Sequence, residues 1–195
     1  MSLSLYKPNS KNTGCAFNFS IGQDKKKEPV VYVNAIQQYG WDNSKKTGNF
    51  SGNASNPDKK INLKFTEFEI GGIISAFSHR NEFSSFHAYE DNKTSIKCVP
   101  WDKKTKIKSG DEEKWITLPA FGITFTRNGN QTFRIPLEPG EVENLKSFFQ
   151  FYLTELYECR KQKDLEKLEE YRSKYKNKEN NTESTKEEES NQVPF

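Results

Sequence analysis

Apolar residues recur at spacings of three and four between residues 139 and 163: Val142, Leu145, Phe149, Tyr152, Leu156 and Cys159. That spacing puts them on one stripe of an α-helix. Pro139 and Gly140 open the stretch, and Glu141 and Glu143 suit the positive end of the helix dipole. After Cys159 the chain stays rich in helix formers but keeps few apolar residues: Leu165, Leu168, Tyr171 and Tyr175. Residues 164–176 are therefore expected to be a solvated or partner-seeking extension of the helix. A second helix is expected after Thr66. Thr66 and Glu69 have capping-box spacing, and Ile70, Ile73, Ile74 and Phe77 follow as an apolar face up to about His79. Gly71 and Gly72 are weak helix formers, so close packing against a sheet is the expected reason for both.

The other patterns have period two. Cys15, Phe17, Phe19 and Ile21 alternate with other residues, as do Ile61, Leu63 and Phe65, then Phe86 and Ala88, then Ile96 and Cys98. Residues 30–39 are rich in strand formers. Residues 121–127 and 131–137 flank Asn128-Gly129, which predicts a hairpin closed by a type I′ turn. Two stretches break the pattern and read as mobile loops able to bind. Residues 40–60 are rich in Asn, Ser, Gly and Lys, and residues 103–114 are dense in charge.

One offset relates the two halves. Adding 72 to Ile61, Leu63, Phe65, Ile70, Ile73 and Phe77 reaches Phe133, Ile135, Leu137, Val142, Leu145 and Phe149. Both sets run strand, short connection, amphipathic helix, which points to duplication. The implied fold is α+β: two antiparallel sheets, each followed by an amphipathic helix. The alternative is a five-stranded OB-fold barrel, drawn from the strands around the first helix. The repeat and the long second helix argue against it.

With this repeat, residues 13–160 resemble the Whirly and transcription-positive-cofactor-like class of single-stranded nucleic-acid-binding proteins, which includes bacteriophage members. That resemblance implies a duplicated ββββα fold, curved sheets that hold single strands, and helices that mediate homo-oligomers. The Lys-Gly-Lys-Ala-Ala-Leu signature of plant Whirly proteins does not occur in this chain, so no site residue is carried over from them.

Charge divides the chain. From residue 177 onward there are two Lys and five Glu, a net of −3, against +6 for the rest. A basic body before an acidic tail points to an anionic partner and a tail that competes with it. The segment KEEESNQVPF is similar to the acidic tip of bacterial single-stranded-DNA-binding proteins. Glu187, Glu188 and Glu189 supply the acids, and Val193-Pro194-Phe195 the end. The resemblance implies that Pro194 and Phe195 dock on replication or recombination proteins. Ser190-Asn191-Gln192 separates the acids from that end. The expected organisation is a flexible N-terminus over 1–12, a binding domain over 13–163, the helical extension over 164–176 and a disordered acidic tail over 177–195.

Apolar residues make up 32% and aromatic residues 13% of the chain, so the core must be built largely from Phe, Tyr and Trp. Cys15, Cys98 and Cys159 are far apart and odd in number, which reads as reduced thiols in a cytoplasmic protein, host cytoplasm if viral. No signal-like or membrane-spanning apolar run is present.

Binding a single strand needs cations along the phosphates and aromatic faces under the bases. Tyr39 and Trp41 stand beside Lys45 and Lys46. Lys97, Trp101, Lys103, Lys104 and Lys106 cluster, with Trp115 after them, and Phe125, Arg127 and Arg134 lie on one hairpin. These thirteen residues are the expected nucleic-acid contacts. Phe17, Phe19, Phe65 and Phe133 read as core instead. His79 and His87 are the only histidines, and there is no Walker A loop, H-E-x-x-H or G-x-G-x-x-G. The expectation is a protein without catalysis, cofactor or metal that coats single-stranded DNA in replication, recombination or repair. A transcription regulator or adaptor on duplex DNA or protein is the alternative.

Overall fold

The computed structural model describes residues 1–89, 92–110 and 112–190. In chain order its elements begin with strands β1 (Ser2–Lys7), β2 (Cys15–Gln23), β3 (Pro29–Gln37), β4 (Gly40–Asp42), β5 (Thr47–Asn49) and β6 (Lys60–Phe65). Helix α1 (Glu67–His79) follows, then β7 (Phe83–Tyr89), β8 (Asn92–Ser109), β9 (Glu112–Arg127), β10 (Gln131–Leu137) and helix α2 (Pro139–Ser190). Short 3-10 turns at Ser51–Asn53 and Pro57–Lys59 precede β6. The chain divides into two units, Met1–Thr154 and the remainder from Glu155.

In the first unit, one antiparallel sheet has the order β1-β2-β3-β6 and another the order β7-β8-β9-β10. Each runs in chain order and leads into a helix, so the 72-residue offset in sequence is a repeat of structure. The small β4–β5 hairpin interrupts the first repeat between its third and fourth strands. The OB-fold alternative is overturned: the strands form two separate meanders rather than one five-stranded barrel.

Alternation explains which faces meet. Phe17, Phe19, Val31, Val33 and Phe65 of the first sheet are buried, as are Ile96, Ile123, Phe125, Phe133 and Ile135 of the second. The Phe17 and Phe125 rings stack with centroids 4.9 Å apart, and Phe65 meets Phe125 edge-on at 5.9 Å. The helices pack crosswise. Phe149 of α2 lies 5.7 Å from Phe19 and 6.4 Å from Phe65, while Phe77 of α1 lies 5.0 Å from Phe121. Each helix therefore covers the sheet of the other repeat, and the two repeats share one aromatic core.

The start of α1 is the predicted capping box. Thr66 Oγ1 accepts from the Glu69 N–H at 3.2 Å, and Glu69 Oε2 accepts from the Thr66 N–H at 2.9 Å. The other Glu69 oxygen reaches β7. It accepts from the Ser85 hydroxyl and lies 2.7 Å from His87 Nε2. Burial pushes the Glu69 carboxyl up, but Ser85, the Thr66 amide, His87 and the Thr66 hydroxyl together hold it below its ordinary value. A lowered folded pKa contributes stability above the unfolded glutamate value, about 4.3, and that contribution is lost as pH falls through the folded value. Urea midpoints measured from pH 7 downward should therefore drop more steeply below about pH 4.3 in the native protein than in Glu69→Gln.

The two helix glycines differ. A Cβ on Gly72 would sit 2.2 Å from the Phe83 ring, whereas one on Gly71 would meet nothing within 4 Å. Close packing thus accounts for Gly72 and not for Gly71. Gly71→Ala should stabilise the chain by about 0.5–1 kcal/mol, the ordinary helix gain. Gly72→Ala should destabilise it, because the Phe83 ring must give up its place against the helix. Thermal melts of the two variants test the contrast.

Four expectations change. Residues 2–7 are not a flexible N-terminus but an edge strand, with Leu5 buried between exposed neighbours. Asn128 and Gly129 both have positive φ, as a type I′ turn requires, but Arg127 pairs with Gln131, so the loop holds three residues. Residues 103–114 are not a mobile loop: their described residues lie in the paired strands β8 and β9 or the turn between them. Finally, α2 runs to Ser190, so residues 177–190 are helical backbone where a disordered tail was expected. Lys and Glu are good helix formers and carry the helix on without an apolar stripe.

In the second unit, Leu165, Leu168, Tyr171 and Tyr175 are exposed, and the two tyrosine rings lie 4.5 Å apart. Exposed ion pairs join Lys161 to Glu158 and Lys167 to Asp164. Among the described residues, no helix is long and apolar enough to cross a membrane.

Candidate nucleic-acid interface

β8 and β9 outrun their sheet. β7 pairs with β8 only as far as Cys98, and β10 pairs with β9 only from Phe121. Beyond that, residues 101–109 and 112–120 pair with each other in unbroken register, from Trp101 opposite Ala120 to Ser109 opposite Glu112. They form a two-stranded arm. Its strands follow from the period-two run of Thr105, Ile107, Ile116 and Leu118 beneath the charges.

The register sorts the arm's side chains onto two faces, because directly opposite residues share a face. Trp101, Lys103 and Thr105 share one with Ala120, Leu118 and Ile116. Lys104, Lys106 and Lys108 share the other with Thr117, Trp115 and Glu113. On this second face the three lysines are exposed and stand about 6.8 Å apart in succession. Trp115 is 62% exposed, and the Lys106 ammonium sits 5.3 Å from its ring centroid. The same ammonium lies 2.7 Å from Glu113 Oε2, an exposed pair that screens it little. The result is a row of cations beside one open aromatic face, the combination that single-strand binding requires.

The arm's root is held from both helices. Arg80, past the end of α1, pairs with Asp102. Lys103 Nζ lies 2.5 Å from Glu138 Oε1 at the start of α2, and Lys7 bridges to Glu138 at 3.8 Å and to Glu141 at 2.7 Å. The Lys103 hydrogen bond chiefly holds the Glu138 carboxyl below its ordinary value. Lys103 is therefore an anchor for the arm rather than an open cation. Trp101 is half-buried on the same face, and its Nε1 has no hydrogen-bond partner.

Lys97 and Arg134 come together elsewhere. They lie in one row, Ser84–Lys97–Thr124–Arg134, across the outer face of the second sheet. The next row is Phe86–Ser95–Thr126–Thr132, and Phe86 is 59% exposed. Beside it a hollow of about 550 Å³ is lined by Phe86, Lys93, Ser95, Thr126, Asn128 and Gly129. The sequence carries no sign of this role for Phe86, which alternates with Ala88 as a core residue would yet is exposed. Lys97 and Lys104 belong to opposite faces of β8, so the lysine cluster read from sequence is two surfaces.

Two expected contacts fail on geometry. Phe125 is fully buried between Phe17 and Phe65 and cannot reach a base. Arg127 is a strut: its Nε donates to Gln131 Oε1 and a terminal nitrogen donates to the Pro57 carbonyl, each at 2.5 Å. Tyr39 precedes the β4–β5 hairpin, with its exposed ring across Gly52, where a Cβ would lie 2.4 Å away. Trp41 is on β4, and Lys45 and Lys46 are exposed at the hairpin turn. Glu187, Glu188 and Glu189 fall in the last turn of α2, and Pro194 and Phe195 lie outside the described residues. Among the described residues, no group of three His, Cys, Asp or Glu side chains is placed to hold a metal ion.

No protein-family profile and no curated protein sequence matches this chain. Solved structures do. The plant transcriptional regulator PBF-2 aligns over 83% of this chain and 85% of its own, with a TM-score of 0.51 at 16% identity. WHY3 from Arabidopsis thaliana aligns over 80% of this chain and 88% of its own, with a TM-score of 0.49 at 16% identity. The likeness is one of fold: two antiparallel four-stranded sheets, each followed by a helix, in the Whirly arrangement.

Proposed function

We propose that this chain is a non-enzymatic single-stranded-DNA-binding protein of phage type, which coats strands during replication, recombination or repair. It works in the host cytoplasm as a homo-oligomer without cofactor or metal. Its acidic end, from Glu187 to Pro194 and Phe195, recruits other replication or recombination proteins and competes with DNA for the basic body. The observation that carries the reading is the arm, where Lys104, Lys106 and Lys108 follow one another on an exposed face beside Trp115. The Whirly-type fold supports it by supplying two open sheets whose outer faces are polar and basic.

Trp115 offers the direct test. It is 62% exposed, so Trp115→Ala should leave the melting temperature nearly unchanged. The same change should weaken oligo-dT binding by about 1–3 kcal/mol, the value of one base stacked on an aromatic ring. Fluorescence anisotropy with a labelled oligonucleotide reads this. Unchanged affinity would remove the arm from the interface.

A further inference from the structure

The outer face of the first sheet holds a groove that none of the expected contacts touches. Tyr6, Ala16, Ile36 and Lys60 form one row across β1, β2, β3 and β6, and Ser4, Asn18, Asn34 and Asn62 form the next. The turn after β5 brings Phe50 over these rows. Phe50 meets Tyr6 edge-to-face with centroids 6.0 Å apart, and the two rings wall a groove of about 290 Å³. Ala16 and Ile36 belong to its apolar floor, and Asn18 and Asn34 to its polar side.

The groove is built rather than incidental. Asn53 donates through Nδ2 to the Gln37 carbonyl at 2.9 Å, and Asn49 Oδ1 accepts from the Ser51 amide and hydroxyl, each at 2.9 Å. These bonds fix the turn that carries Phe50. Below it, Asn18 Nδ2 donates to Ser4 Oγ at 2.7 Å and Asn34 Nδ2 to Asn62 Oδ1 at 2.6 Å. Each amide is thereby oriented, and each keeps a second N–H. Tyr6 nonetheless remains 62% exposed, although a ring of that size is normally covered.

From this geometry we infer that the Tyr6–Phe50 groove takes one unstacked nucleobase of a single strand, laid against the exposed Tyr6 ring with its edge toward Asn18 and Asn34. The inference rests on reading the chain as a single-strand binder. The groove's volume falls just below the about 300–1,000 Å³ of ordinary small-molecule sites, which suits one ring system rather than a whole nucleotide. Aromatic walls accept any base face, whereas oriented amides discriminate among base edges. The arm binds sequence-blind, and the groove adds base preference. Lys60, which donates to the Ala54 carbonyl at 2.7 Å, and Lys64, in an exposed pair 3.7 Å from Asp24, flank the groove on the same sheet face.

The test compares native protein, Tyr6→Ala, Tyr6→Phe and Asn18→Ala/Asn34→Ala on labelled dT, dA and dC oligomers. Melting temperatures confirm that each variant is folded. Tyr6→Ala should weaken binding to the preferred homopolymer by about 5- to 150-fold, the equivalent of one lost stack. Tyr6→Phe should restore it. The asparagine double variant should keep most of the affinity but flatten the ranking among the three homopolymers. Iodouracil-substituted oligomers should photo-cross-link to Tyr6 or Phe50. Native protein that binds oligo-dT while Tyr6→Ala binds within twofold of it, with cross-links confined to the arm, would overturn the groove and leave the arm reading intact. Native protein that binds none of the oligomers would overturn both.

Discussion

Replacing Phe125 by alanine should destabilise the protein by about 3–5 kcal/mol, the usual cost of deleting a buried phenylalanine. The ring is fully buried, stacked on Phe17 and met edge-on by Phe65, so its removal opens a cavity where the two sheets meet. Surrounding strands are hydrogen-bonded on both sides and cannot collapse into the space. Urea unfolding of the full chain measures the effect as a lowered midpoint at unchanged slope. The result separates two roles that the sequence leaves together. A base platform on the surface would tolerate alanine within about 0.5 kcal/mol, as exposed sites usually do.

The second large effect concerns the arm. Changing Lys104, Lys106 and Lys108 together to glutamine removes three exposed cations from one face and touches no core residue. Melting should hardly change, since the ion pair that is lost, Lys106 with Glu113, is exposed at both ends. Oligo-dT binding should weaken markedly at low salt, and the slope of log affinity against log salt should become shallower by about two. Each phosphate contact on a single strand contributes about 0.7 to that slope. Anisotropy titrations over a range of salt concentrations give both numbers. An unaltered slope would mean that these lysines are merely solvated.

Much of this fold is legible in the chain because burial leaves a periodic trace. The six apolar positions of β6 and α1 recur 72 residues later in β10 and α2, and their alternation places Phe65 and Phe133 inward. The capping box at Thr66 and Glu69 is local chemistry and is present in atomic detail. The arm was harder to see. Its strands expose most of their residues, so lysines and glutamates outnumber the apolar positions and mask the period-two run. β1 was hidden by its length, with only Leu3 and Leu5 to mark it.

The candidate site was less legible than the fold, for a physical reason. A binding surface is assembled by register, and register joins residues far apart in sequence. Tyr6, Asn18, Asn34 and Phe50 meet only because β1, β2 and β3 pair as they do and a turn folds Phe50 across them. Lys97 and Lys104 are near neighbours in sequence yet face opposite ways, since seven positions along a strand reverse the side. Arg127 is basic and aromatic-flanked in sequence, but its guanidinium is committed to Gln131 and Pro57.

Competition between oligo-dT and duplex DNA of equal length for the full chain, at low and at physiological salt, tests the central claim most directly. Single-strand binding through the arm's cations and open aromatic ring predicts that oligo-dT displaces duplex at both salt concentrations and that its own affinity falls steeply with salt. Equal or stronger binding of duplex, or oligo-dT affinity indifferent to salt, would contradict it.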